Sequence, residues 1–282
     1  MPNDLGKTTE TMHGTGQSGR RDNGSYVVVT GASGGIGLPI VRRLRRDGWS
    51  VLATDYSDQL VEQMREEFGE DPKIHLAVMN VAKRASIDAA ARQLSDRSAS
   101  VSGLVNVAGL LQDVKPLLGF DSDAQRRIWD VNYFGAEQCI QAFAPMMEKL
   151  GGGAIVNITS VNEIRPLPLH AYAPSKVALG ALTALAAGDL GRLGIRVNAV
   201  APGFTLTPAM QSKFDSGARN ADLVKSHTAL RRLVGIDEVA AAVSFLLSDD
   251  SSAITGISLP VDAGWLATSH WMNMSAILEQ QS

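Results

Sequence analysis

The chain has 282 residues, of which 45% are hydrophobic and 20% charged, and a formal net charge of −3. These figures describe a water-soluble globular protein without the basic surplus that phosphate-rich partners demand, which excludes nucleic acid as the main ligand. No run reaches the roughly 18 apolar residues of a membrane span, and the single cysteine, Cys139, can form no intrachain disulfide, which suits a reducing, cytoplasmic compartment.

Residues 1–24 are polar, rich in Gly, Ser and Thr, and lack the apolar core of a secretory signal, so they are expected to form a disordered extension. From Ser25 onward, β-branched runs alternate with helix-period segments. The first strand, "SYVVVT", stops at Thr30 and gives way to "GASGGIG" and a helical segment over 36–48. Gly31, Gly35 and Gly37 permit a tight turn there, let the main chain approach a pyrophosphate, and allow the helix to pack closely on the strand. The N–H groups that open the helix, with its dipole, favour the same anion. The arginines of "RRLRR" (42–46) fall beyond the turn and read as a solvated face.

The second strand, "WSVLATD", closes on Asp55, whose carboxylate can accept from both hydroxyls of an adenine ribose. A 2′-phosphate would meet that charge and be repelled. Ser33 and Gly34 in the turn offer no cation, nor do Tyr56 and Ser57 after the acid, so NAD is favoured over NADP.

Helical patterns over 57–68, 84–97, 122–150, 171–192 and 236–248 then alternate with strands "KIHLAVM", "SGLVNVAG", "GAIVNITS", "GIRVNAVAPG" and "GISLPVD". This order predicts an α/β protein of repeated βαβ units: a doubly wound, mostly parallel sheet with helices on both faces. The strands are almost continuously apolar, as strands covered on both sides must be. No break in composition divides 25–265, which is expected to form one domain, with 266–282 as a tail packing on it or on a neighbouring subunit. Ligands of such a sheet gather beyond the carboxyl ends of its strands.

Tyr172 and Lys176 stand four apart at the start of a helical run, hence on one face. A phenol is a poor base near neutral pH, but an adjacent ammonium and a positive nicotinamide ring would draw its pKa down. Ser160, ending the preceding strand, could hold a substrate oxygen. Thr159 is its competitor; strand alternation turns the two to opposite faces, and Ser160 is preferred.

The ordered set "TGASGGIG", "NVAG" (106–109), the Asn of "WDVNYFG", "TS…YAPSK" and "APGFTLT" resembles the short-chain dehydrogenase/reductase family in its compact single-domain branch, over about 25–265. The resemblance implies a Rossmann-like, seven-stranded sheet. It implies Tyr172 as acid/base, Ser160 orienting the substrate, Lys176 binding the nicotinamide ribose, and Asn132 sustaining a water relay from Lys176. It places Gly31, Ser33, Gly35, Ile36, Gly37, Asp55, Asn80, Val81, Asn106, Ala108 and Gly109 along the cofactor, with Asn106 also steadying the central strands. Pro202, Gly203, Thr205 and Thr207 would line the nicotinamide end beside Tyr172 and Lys176. A homotetramer is implied as well. Three departures stand out: Asn80 in place of the usual Asp, Val107 in place of a second Asn, and a Ser160–Tyr172 spacing one residue shorter than usual, which leaves Thr159 at the family's distance.

The expected activity is NAD-dependent interconversion of a secondary alcohol and a ketone, a small molecule. The alternatives are an NADP-dependent reductase of oxo-acyl thioesters, or a non-enzymatic dinucleotide sensor; a sensor would be expected to lose some of Asn132, Ser160, Tyr172 and Lys176. A sugar-nucleotide epimerase would need a larger C-terminal region. Pocket walls are expected from 110–120, from 161–170 with Asn162, Glu163, Arg165 and His170, and from a mobile lid over 208–228. His227 and His270 have no ligand-like partners in the sequence, and no metal site is expected.

Overall fold

A computed structural model describes residues 24–113, 117–118, 120–217 and 219–268. The expectations for 1–23, for His270 and for most of the 266–282 tail fall outside the described residues.

Strands β1 (Ser25–Thr30), β2 (Ser50–Asp55), β3 (Ile74–Val78), β4 (Ser100–Asn106), β5 (Gly153–Ile158), β6 (Ile195–Pro202) and β7 (Ser258–Val261) form one sheet in the order β3-β2-β1-β4-β5-β6-β7. Every pairing is parallel. This is the parallel, doubly wound sheet the alternation predicts, in the Rossmann-like, seven-stranded form the resemblance implies. The order reverses between β1 and β4, where Thr30 pairs with Asn106, and a crevice opens beyond the carboxyl ends.

The helices fall on two faces because their apolar stripes fill two cores. On one face α1 (Gly37–Arg46), α2 (Asp58–Phe68) and α9 (Ile236–Leu247) bury Ile40, Leu44, Met64, Val243 and Leu246 against Val27, Val29 and Val156. On the other, α3 (Arg84–Asp96), α5 (Gly135–Lys149) and α6 (Tyr172–Leu190) bury Ile87, Phe143, Met147 and Ala187 against Val28, Leu104 and Ile155. Adjacent strand residues thus point to opposite cores, which is why the strands read as apolar throughout.

One segment departs from the sequence expectation. The helix expected over 122–150 is α4 (Ser122–Trp129) and α5 joined by one wide π-helical turn, Asp130–Phe134. Such turns are rare and concentrate at functional sites; this one carries Asn132. The stretch read as a mobile lid contains two short helices, α7 (Pro208–Asp215) and α8 (Ala221–Ser226). Thr207 and Asn220 cap them, accepting from the N–H groups of Met210 and Leu223. No helix among the described residues is long and apolar enough to cross a membrane.

Candidate active site

The crevice at the sheet reversal is a cavity of about 1230 Å³, above the ~300–1,000 Å³ usual for a small-ligand pocket. Its floor is the turn after β1. Gly31 there has φ +61, and a Cβ on it would come within 2.8 Å of the Ala108 Cα. A Cβ on Gly37 would collide with the Gly31 carbonyl, so this turn cannot close around α1 with any larger residue. Gly35 has a different reason: its missing side chain makes room for Thr207 and Pro208, at 3.0 and 3.1 Å from an added Cβ. Helix α1 opens with no side-chain cap and no acid in its first turn, so its leading N–H groups and dipole are left for an anion.

At the end of β2, Asp55 is fixed by three donors. Ser33 gives its N–H at 3.1 Å and its hydroxyl at 2.6 Å to Oδ2, and the Tyr56 N–H gives 2.8 Å to Oδ1. Asn80 and Val81 follow β3 and line the same wall. Arg42 borders it as well; its side chain is exposed, as the solvated-face reading has it, and pairs with Glu67 at 2.6 Å.

The other end of the cavity holds the chemistry. Tyr172 begins α6, and Lys176 follows one turn later with its Nζ 5.7 Å from the phenol ring centre, donating to the Ile158 carbonyl at 2.7 Å. Burial raises the Tyr172 phenol above its ordinary pKa, and a hydrogen bond with the Ser160 hydroxyl partly offsets this. Burial also lowers the Lys176 amine to about 8, against an opposing pull from Glu163. In the chain alone burial outweighs the Ser160 hydrogen bond, so the phenol is not acidified; the other positive charge expected to draw it down, the nicotinamide ring, belongs to the cofactor.

The Ser160 hydroxyl accepts from the Asn162 N–H at 3.2 Å and from its side-chain amide at 3.0 Å. Thr159 turns the other way, donating to the Val200 carbonyl at 3.1 Å and meeting Ser258 at 3.2 Å. The alternation argument separates the two residues as expected. Behind them Glu163 accepts from Ser258 at 3.0 Å and fills the space above Gly180, where any Cβ would collide with its carboxylate.

Ala108, Gly109, Pro202, Gly203, Thr205 and Thr207 complete the wall between the two ends, alongside Ile36. Two expected residues stand outside it. The side chain of Asn106 does not line it: its amide donates to Asn157 Oδ1 at 2.8 Å and braces β4 to β5, the steadying of the central strands that the resemblance implies. Asn132 lies behind the wall as well. It accepts from the Leu110 N–H at 2.7 Å and donates to Leu110 O and Ser175 Oγ, each at 3.1 Å, with no hydrogen bond to Lys176. Gly109 stands between them: a Cβ there would lie 3.5 Å from Asn132 Oδ1 and 3.6 Å from Lys176 Nζ.

Arg165, one of the pocket-wall candidates, donates to the carbonyls of Thr268 and Leu266 at 3.1 and 3.3 Å and lies over the Trp265 ring. Asn162 is engaged by Ser160 and by the Leu167 N–H. Gln112 is a contact the sequence did not reveal: its Oε1 accepts from the N–H groups of Ala171 and Tyr172 at 2.7 and 3.1 Å, capping α6, which has no cap of its own. No group of three or more His, Cys, Asp or Glu among the described residues could hold a metal ion.

A family model described as enoyl-(acyl carrier protein) reductase matches residues 31–266. The chain belongs to the short-chain dehydrogenase/reductase family. It is 35% identical over 248 residues to galactitol 2-dehydrogenase of Rhizobium johnstonii, covering 87% of this chain and 96% of that protein. Among solved structures it is similar to gluconate 5-dehydrogenase from Burkholderia cenocepacia in complex with NADP and tartrate, at 31% identity and TM-score 0.81 over 87% and 96% of the two chains. A structure described as ribose-5-phosphate isomerase from Brucella melitensis is 38% identical with TM-score 0.82, over 88% of this chain and 95% of that one. An oxidoreductase of this family uses a nicotinamide dinucleotide and a small-molecule substrate.

Proposed function

We propose that the protein oxidises a secondary alcohol to a ketone, or the reverse, with NAD. The observation that carries this reading is the single cavity that joins the Asp55 carboxylate and the glycine turn at one end to Ser160, Tyr172 and Lys176 at the other. The residues fit the cofactor: a glycine floor too tight for side chains, an uncapped helix start for the pyrophosphate, and an anchored acid for the adenine ribose. Asp55 favours NAD because three donors hold its carboxylate in place and it cannot swing away from a 2′-phosphate. When bound, the nicotinamide supplies the acceptor or donor of the hydride.

The protein's own part is to place the substrate oxygen and move one proton. Ser160 holds that oxygen beside the phenol, and Tyr172 takes the hydroxyl proton in oxidation and returns it in reduction. Lys176 contributes positive charge near the ring, and its lowered pKa lets it exchange a proton near working pH. Asn132 fixes Leu110 and Ser175 and so keeps the loop after β4 against α6.

The test follows the absorbance of reduced cofactor while secondary alcohols and ketones are screened with NAD and NADP in parallel. NAD-dependent turnover of small alcohols is the expected result. Preference for NADP would overturn the use made of Asp55 and favour Arg42 as a phosphate contact. Turnover confined to oxo-acyl thioesters would favour the alternative reading as a reductase of that class. A pure isomerisation would leave the absorbance flat.

A further inference from the structure

We infer that the substrate is an uncharged alcohol or ketone with a hydrocarbon body, rather than a polyol or a sugar acid. The inference rests on the alcohol-oxidising reading above and names its substrate class. Gly109 puts the start of the loop after β4 at the chemical end, since a Cβ on it would lie 3.6 Å from Lys176 Nζ. The next two residues, Leu110 and Leu111, line the cavity and are 42% and 57% exposed. Ala209 and Met210 of α7 line it too. The two segments meet: Lys213, one turn beyond Met210, pairs at 3.4 Å with Asp113, two residues beyond Leu111. Large apolar side chains left open in a cavity favour a ligand that takes them out of water.

The polar groups around this end are spent on the protein itself. Thr159 donates to the Val200 carbonyl, Thr205 donates to the Gly203 carbonyl, and Thr207 caps α7. Asn162, Arg165 and Gln112 bind main chain, and none of the three is among the described residues that line the cavity. Apart from Lys176, the charges that line it are Arg42, Asp55, Arg127 and Asp130. The first two border the glycine turn. Asp130, one turn after Arg127, stands with Val81 beyond β3: a Cβ on Gly135 would touch both Val81 and the Asp130 carbonyl. Ser160 and Tyr172 thus have one oxygen to serve. Against Leu110, Leu111 and Met210, a polyol would give up water from its other hydroxyls without replacement bonds, and a carboxylate would lose more. A hydrocarbon ring or chain gives up nothing.

The test measures kcat/KM for 2-propanol, 2-butanol, 2-pentanol and 2-hexanol, and for 1,5-hexanediol and 5-hydroxyhexanoate, which add a polar group at the far end of 2-hexanol. The value should rise about threefold for each added methylene. It should fall about tenfold from 2-hexanol to the diol and about a hundredfold to the acid. In the double variant Leu111→Ser, Met210→Ser, the ratio of 2-hexanol to 2-propanol should drop at least about fivefold. That ratio is taken within one protein, so it holds even if part of the variant is unfolded; binding of reduced cofactor, read by fluorescence, gives the folded fraction. A flat or falling series in the wild type, a preference for the diol or the acid, or an unchanged ratio in the double variant overturns the inference and leaves the alcohol-oxidising reading intact. No turnover of any of these compounds with either cofactor overturns both.

Discussion

At the adenine end of the cleft, position is held by main chain and sheet register. Gly31 abuts Ala108, Gly37 abuts the Gly31 carbonyl, and Asp55 accepts from two backbone N–H groups. At the substrate end, position is held by side chains reaching across long stretches of sequence. Gln112 caps a helix about 60 residues further on, Glu163 meets Ser258, and Arg165 grips the carbonyls of Leu266 and Thr268. The first end is a rigid seat that tolerates almost no added volume. The second is an assembly of separate loops whose contacts can be exchanged singly, which is where one fold can vary its substrate.

The sharpest way to separate the two ends is Tyr172→Phe. Turnover should fall by about 10²–10⁴-fold while cofactor affinity, measured by fluorescence titration, stays within a factor of three; a matching loss of affinity would mean the ends are not separable. Next in size is the pair Ser160→Ala and Thr159→Ala. The first should cost about 10²-fold in kcat with little change in melting temperature. The second should lower stability by about 1 kcal/mol, because it removes the hydroxyl's buried bonds to the Val200 carbonyl and to Ser258, and should spare most turnover; the opposite pattern would reassign the substrate-holding hydroxyl.

At the rigid end, Gly37→Ala should destabilise the protein by about 2–3 kcal/mol in urea melts, since the obstacles are the main chain of Gly31 and Ala32 rather than a movable side chain. Gly180→Ala has a flexible obstacle, the Glu163 carboxylate, and should cost much less. Its signature is a pH profile: displacing Glu163 removes the charge that raises the Lys176 pKa, so the amine-linked limb of kcat/KM should move to lower pH. Glu163→Gln should reproduce that shift.

The smallest effect concerns stability. Lys176 titrates at about 8 in the fold, below its ordinary value of 10.5, so between these values the unfolded chain binds more protons. Wild-type stability should therefore receive a rising contribution from this residue from pH 8 to pH 10.5, fully present only above that range. Chemical melts at pH 7.5 and 9.5 should show Lys176→Met without that rise; a parallel rise in both proteins would mean the amine is not desolvated.

The same contrast explains what the sequence disclosed. Asp55, the glycine turn and the Tyr172–Lys176 pair are legible because each depends on local spacing at a strand end or within one helical turn. The count of seven strands came with the family resemblance, and the sheet bears it out. The bracing role of Asn106 came with the family resemblance rather than from periodicity, and its bond to Asn157 across β4 and β5 agrees with it. Gln112, Glu163 and Arg165 carry no local signal: their partners lie roughly 60 to 100 residues away. A helix lacking its own N-cap at Ala171 was the one available hint that some distant side chain must supply it.

The wide turn at Asp130–Phe134 has a consequence for how this chain can change length. Removing one residue there would let α4 and α5 merge into a regular α-helix, a locally favourable repair. Yet each residue in an α-helix turns the chain by about 100°, so Asn132 would swing off Leu110 and Ser175, and Cys139, Phe143 and Met147 would rotate out of register with the core. Insertions and deletions should thus be rejected in that stretch even though a smoother helix results, making the irregularity a register mark that sets active loop and buried face at once.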